Sequence, residues 1–156
     1  MTRRRFLMTA SLVWWRPPAL AQTAAGQTVE LRGRVVRLAS PPPGLLPGSA
    51  DFDHGGVAYA LEAADGTRHA FLPTDTAAAV YQDWRVQARE LQVTARLFPA
   101  TSFIEVIKLQ SLRAGRLYDL YYFCDVCNVT THKPGPCQCC QEPVELREAP
   151  AAPGPN

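Results

Sequence analysis

The five cysteines of this chain all lie between Cys124 and Cys140, in the stretch FCDVCNVTTHKPGPCQCCQEP. A segment this short, interrupted by Pro134, Pro136 and Pro143, cannot bury a core of its own. Its cysteines can organise it as metal ligands or as disulfides, or they can serve as reactive thiols. Four of them form two Cys-x2-Cys pairs, Cys124/Cys127 and Cys137/Cys140, with nine residues between the pairs. Two cysteines at that spacing on a tight turn aim both sulfurs at one point, and the N–H groups of the turn can support thiolates. Two such turns face to face supply the tetrahedron that zinc prefers, with Zn–S near ~2.3 Å. Cys124, Cys127, Cys137 and Cys140 are the expected ligands and zinc the expected ion, with iron the other occupant such sulfurs take. A closed four-sulfur site leaves no position for water or substrate. The metal is therefore read as structural, and the chain as a binding or assembly module with no catalytic residue assigned.

The paired turns closely resemble the knuckles of zinc-ribbon proteins, and the resemblance covers residues 118–148. Ribbon knuckles usually carry glycine after the second cysteine, where this chain has Asn128 and Gln141. Asparagine tolerates positive φ better than most residues, so the first departure is mild. The short spacer and Gln141 are further departures. Cys139 is a fifth thiol, and only one of Cys139 and Cys140 can complete the set with Cys137; spacing favours Cys140. By count, Cys124, Cys127, His132 and Cys137 also match the CCHC knuckle of single-stranded nucleic-acid binders, making His132 a secondary ligand candidate. Asp125, Asn128 and Thr131 stand where that family has an aromatic and glycines. A disulfide framework would leave one thiol over. The alternative function is thiol-redox or copper/zinc handling by the Cys-x-Cys-Cys cluster.

The opening residues, MTRRRFLMTASLVWWRPPALAQ, combine a basic start, an apolar stretch from Phe6 to Trp15 and a small-residue exit at Ala19-Leu20-Ala21. That is the layout of a secretory signal peptide, with cleavage expected near Ala21. RRRFLM also resembles a twin-arginine signal, two arginines followed by any residue and Phe-Leu, which is an address and not an anchor. The resemblance implies a periplasmic protein exported folded, its metal loaded under reducing conditions before the thiols meet an oxidising compartment. An uncleaved N-terminal anchor is the competing reading, but no membrane span is expected in the mature chain. The chain has 16 basic and 14 acidic side chains. Removing Arg3, Arg4, Arg5 and Arg16 leaves 12 basic against those 14, a net charge of −2. No nucleic-acid partner is expected from that balance; a protein or small-molecule partner is.

Between these ends the pattern is mostly β. TVELRGRVVRL (28–38) alternates Val29, Leu31, Gly33 and Val35 against Glu30, Arg32 and Arg34, as a half-buried strand does. Gly33 in its middle suggests a bulge or sharp bend. Residues 39–56 hold four prolines and four glycines, a long loop where a partner surface is expected. Residues 57–73 read as a hairpin around Asp65-Gly66. TDTAAAVYQDWRVQAREL reads as one helix, capped by Thr74, Asp75 or Thr76, with Tyr81, Trp84, Ala88 and Leu91 on its apolar face. Strands are expected over 91–98, 103–112 and 115–123. A strand, a hairpin, a helix and two strands is the element order of an OB-like five-stranded barrel, and residues 28–112 resemble that fold in order alone; an α+β meander is the competing arrangement. The expected organisation is thus a signal at 1–21, an OB-like α+β domain at 22–117, a zinc ribbon at 118–148 and a disordered tail at 149–156.

Asp51, Asp53 and His54 form a loop cluster that reads as solvated turn chemistry. His69 reads as a packed strand residue, and Tyr118, Tyr121 and Tyr122 as packing between ribbon and barrel. Glu142, Glu145 and Glu148 read as a solvated acidic run.

Overall fold

The computed structural model describes residues 26–43, 50–98 and 101–152. The expected signal segment, loop residues 44–49 and the end of the tail lie outside the described residues. The chain is mostly β, in one sheet of eight strands. They are β1 (Gln27–Arg37), β2 (Tyr59–Glu62), β3 (Arg68–Phe71), β4 (Glu90–Leu97), β5 (Phe103–Arg113), β6 (Arg116–Cys124), β7 (Val129–Thr131) and β8 (Glu145–Pro150). A helical segment joins β3 to β4: a 3-10 turn (Asp75–Ala77), α1 (Ala78–Gln82) and α2 (Trp84–Gln87).

β1 pairs with β4 along its first part and with β2 along its second, both antiparallel. Arg34 is the crossover, opposite Glu90 on one side and Glu62 on the other. Gly33 sits beside it, and a Cβ there would lie 2.1 Å from the Glu62 carbonyl oxygen. This glycine marks a close approach of two backbones, not the bulge or bend expected from the sequence. The register shift lies elsewhere, between Thr94 and Ala95: Ala95 faces Val106, Thr94 faces Lys108, and Ile107 is the extra residue. β3 pairs with β2 and, in parallel, with β5 at Ala70–Phe103 and Phe71–Ile104. The pairings β1–β2, β2–β3, β3–β5, β5–β4 and β4–β1 thus return to their starting strand.

The apolar faces of that circuit meet the helical segment and β6 in one core, with Leu61, Phe71, Val80, Val86, Leu91, Val93, Ile104, Leu120 and Tyr122 among its members. Each large side chain there contributes roughly 1.5–3 kcal/mol by leaving water. The helix itself differs from expectation. It breaks at Asp83, whose backbone is extended (φ −124°, ψ 105°) and whose Oδ1 accepts the Arg85 N–H to cap α2. That cap resets the helical phase, so Trp84 emerges 74% exposed and Leu91 belongs to β4. Ala77, Ala78, Ala79, Val80 and Val86 form the buried face instead.

β6 leaves β5 through a two-residue turn and runs on to Cys124, across the expected boundary at residue 117. Its far half carries β7 on one side and β8 on the other. Ala149 and Pro150, expected in a disordered tail, instead pair with Asp119 and Tyr118. The physical reason is Glu148, whose carboxylate accepts hydrogen bonds from Arg89 and Ser111 and lies 3.4 Å from the Arg113 guanidinium. The acidic run is therefore not uniformly solvated: Glu148 is half-buried and ties β8 to the rest of the sheet.

Candidate metal centre

β6 delivers Cys124 at its last residue, and the chain then turns through Asp125, Val126 and Cys127 into β7. The turn closes when the Asn128 N–H donates to the Cys124 carbonyl at 2.8 Å. A second turn repeats the design: the Gln141 N–H donates to the Cys137 carbonyl at 2.9 Å. Asn128 (φ 55°) and Gln141 (φ 65°) both take the left-handed conformation that reverses the chain. A bridge between Pro136 and Pro143 and a hydrogen bond from the Cys137 N–H to the Glu142 carbonyl (2.7 Å) hold the second turn. β8 then starts at once and returns along β6, bringing the two turns together. Arg147 on β8 pins the first turn, donating to both Asp125 oxygens (2.6 and 2.7 Å) with its guanidinium 4.3 Å above the Phe123 ring.

The Sγ atoms of Cys124, Cys127, Cys137 and Cys140 all lie within 4.8 Å of one another. Those of Cys124 and Cys140 are 3.5 Å apart, and all five cysteines are free thiols. Four sulfurs at ~2.3 Å from one ion would stand ~3.8 Å apart, so the set has the size of a tetrahedral thiolate site and could hold a metal ion. Cys124 and Cys137 are buried, Cys127 and Cys140 half-buried. Cys139 is exposed and outside the four-sulfur group. His132 is also exposed and outside it; its ring lines an apolar cavity of about 240 Å³ with Ile107, Leu109 and Tyr121.

The electrostatics follow from the turns. N–H groups of Cys140 and Cys139 point at the Cys137 sulfur and bring its thiol down to about 7. At Cys124 the N–H of Cys127 acts in the same direction, but burial and the thiols of Cys140 and Cys137 outweigh it, and the net shift is upward. The Cys127 thiol is pushed up strongly, first by a hydrogen bond with the Cys139 thiol and then by Cys140. Without a cation the sulfurs compete for protons, because several thiolates cannot sit this close together. A divalent ion removes that competition by binding the deprotonated sulfurs.

The other sequence candidates have structural employment. His54 Nδ1–H donates to the Val57 carbonyl (2.9 Å), Asp53 accepts the Gly55 N–H (2.8 Å) and Asp51 accepts the Asp75 N–H (2.9 Å). The His54 ring packs near Tyr81 with Phe52 and Tyr59 around it. His69 is half-buried opposite Leu61. Tyr122 is buried in the core, while Tyr118 lies under the Arg113 guanidinium.

The chain matches no family model, no curated protein and no solved structure.

Two features near the centre escaped the sequence reading. One is a groove of about 480 Å³ between β7 and the second turn, lined by Val129, Lys133, Pro134, Cys137 and Cys139. No periodic pattern announces it, because its walls are irregular. The other is Asp83, a carboxylate only 5% exposed that receives the Tyr122 hydroxyl. Its place as a mid-helix Asp before Trp was the available signal, since Asp favours caps over helix interiors.

Proposed function

We propose that this chain is an exported metal-binding protein whose C-terminal third is held by one zinc ion on Cys124, Cys127, Cys137 and Cys140. The observation that carries the reading is the convergence of four sulfurs, two from each of two matching turns, within 4.8 Å. The repeated N–H-to-sulfur pattern and the positive-φ residue closing each turn support a pair of zinc-ribbon knuckles. The closed circuit of five strand pairings, with the helical segment between β3 and β4, supports an OB-like barrel beneath them. Bound there, the ion would supply cross-linking and charge neutralisation and no open coordination position. Iron fits the same sulfurs.

The role that follows is a periplasmic binding or assembly module. The RRRFLM start supports export with the metal already seated. Among the described residues no helix is long and apolar enough to cross a membrane. The test is elemental analysis of protein recovered from an exporting host. One zinc per chain, lost in Cys124→Ser and kept in His132→Ala, is the expected result. A metal-free protein with its cysteines oxidised in pairs would overturn the reading.

A further inference from the structure

β4 occupies one edge of β5 from Ile104 to Ser111. On the other edge β3 stops at Ile104 and β6 begins at Gln110, so the residues between them have no strand beside them there. β8 holds the far edge of β6, and on the near edge β5 stops at Asp119 and β7 starts at Tyr122. The sheet therefore has a hole among β5, β6 and β7, and the cavity of about 240 Å³ occupies it. Ile107, the extra residue of the β5 bulge, lines this cavity and is 47% exposed, which marks the mouth. The walls are braced from the helical segment. The Thr76 hydroxyl donates to the Val106 carbonyl (2.7 Å), and Lys133 Nζ donates to Asp75 (3.0 Å), fixing the chain beyond β7 to the 3-10 turn.

We propose that this cavity is a binding site for a neutral single-ring molecule carrying one hydroxyl group. Size sets the first limit. An apolar cavity of about 150 Å³ takes benzene, and the volume here leaves room for a ring with a substituent. The walls set the second. Val106, Leu109 and Leu120, with the rings of Tyr121 and Tyr122, match an apolar ring and its edges. Charge sets the third. Lys108 and Asp119 both line the cavity, but they pair with each other at 2.8 Å. A carboxylate or ammonium group entering beside them would lose its water and gain no free counter-charge. The polar end is the β7 wall, where the exposed Thr130 and His132 offer a hydroxyl and a ring nitrogen to one hydrogen-bonding substituent. None of this depends on which ion the four sulfurs hold.

Amide NMR of the full chain, titrated with phenol, toluene and benzoate in turn, tests this. Phenol is expected to give saturable shifts centred on Ile107, Leu109 and Tyr121, with toluene weaker and benzoate weakest. Phenol shifts that are scattered or never saturate would overturn the proposal, and so would benzoate binding as tightly as phenol. His132→Ala is expected to weaken phenol by roughly fivefold, the scale of one hydrogen bond, and to leave toluene unchanged; equal losses for the two probes, or none for phenol, would remove the polar end. Leu109→Phe puts a ring into the cavity and is expected to weaken phenol at least about tenfold. Ile107→Trp covers the mouth from an exposed position, with the same expected loss, and decides the matter if the first variant does not fold. Phenol binding to Ile107→Trp as tightly as to wild type would place the probe elsewhere and end the proposal.

Discussion

Tyr122 donates its hydroxyl hydrogen to Oδ2 of Asp83 at 2.9 Å, across the core from β6 to the break in the helical segment. Tyr122 stands two residues before Cys124, so the carboxylate that ends α1 also positions the strand that delivers the first sulfur. Asp83 has no other route to solvent-like stabilisation than Tyr122 and Arg85, which donates to it from its backbone and its guanidinium.

Tyr122→Phe is accordingly expected to cost about 1–3 kcal/mol, because it leaves a buried charge short of a donor. Urea denaturation measures it. Burial pushes the Asp83 carboxyl up, but the hydrogen bonds from Arg85 and Tyr122 prevail and hold it below its usual value. A depressed carboxyl adds stability above its unfolded pKa of about 3.9, and that contribution is lost as pH falls through the folded value. Wild type should therefore lose stability on acidification below about pH 4, and Tyr122→Phe should show a shallower fall because less is there to lose. Equal slopes would mean the tyrosine does not tune the carboxylate.

Gly33→Ala is expected to destabilise strongly, by about 2 kcal/mol or more, since the new Cβ would meet backbone and not a movable side chain. Gly66→Ala, in open space at φ 81°, should cost only the left-handed strain of roughly 1–2 kcal/mol. A comparison of the two melting temperatures separates crowding from strain; a milder effect at Gly33 than at Gly66 would contradict the crossing geometry.

Much of this is legible in the sequence. Alternation of apolar and polar residues in β1, Asp65-Gly66 in the hairpin and the paired cysteine spacing are local signals, and the structure carries each of them in place. The break in the helical segment was not, because Asp83 acts through a cap and through Tyr122, a residue far along the chain. Nor was β8, whose Pro/Ala-rich end looks unstructured until Glu148 finds Arg89, Ser111 and Arg113. Which face Cys139 takes depends on the direction of the second turn, and that direction is set by Gln141 at positive φ, an unusual residue for the place.

Gln141 gains less from a left-handed conformation than Asn128, which is tolerated there more readily. Gln141→Gly should therefore raise stability and metal affinity more than Asn128→Gly, by about 0.5–1 kcal/mol. Asn128→Val should weaken both, because a β-branched residue cannot take φ of 55° without strain. Competition for zinc against a chelator of known affinity reads all three, and a gain with valine would refute the paired-turn geometry.

Metal removal should act on one end of the molecule. The core is drawn from the strand circuit, the helical segment and β6, and among the described residues beyond Cys124 only Val144 and Leu146 pack against it. Chelating the ion should therefore free the amides of Asn128, Cys137 and Gln141, whose hydrogen bonds close the two turns, while those of Val93 and Leu109 in the β4–β5 ladder keep their protection. Hydrogen exchange in the presence and absence of chelator makes the comparison. Loss of protection in both regions together would mean the ion supports the whole fold; no loss in either would mean the turns stand without it, and that the four sulfurs meet for some reason other than a metal.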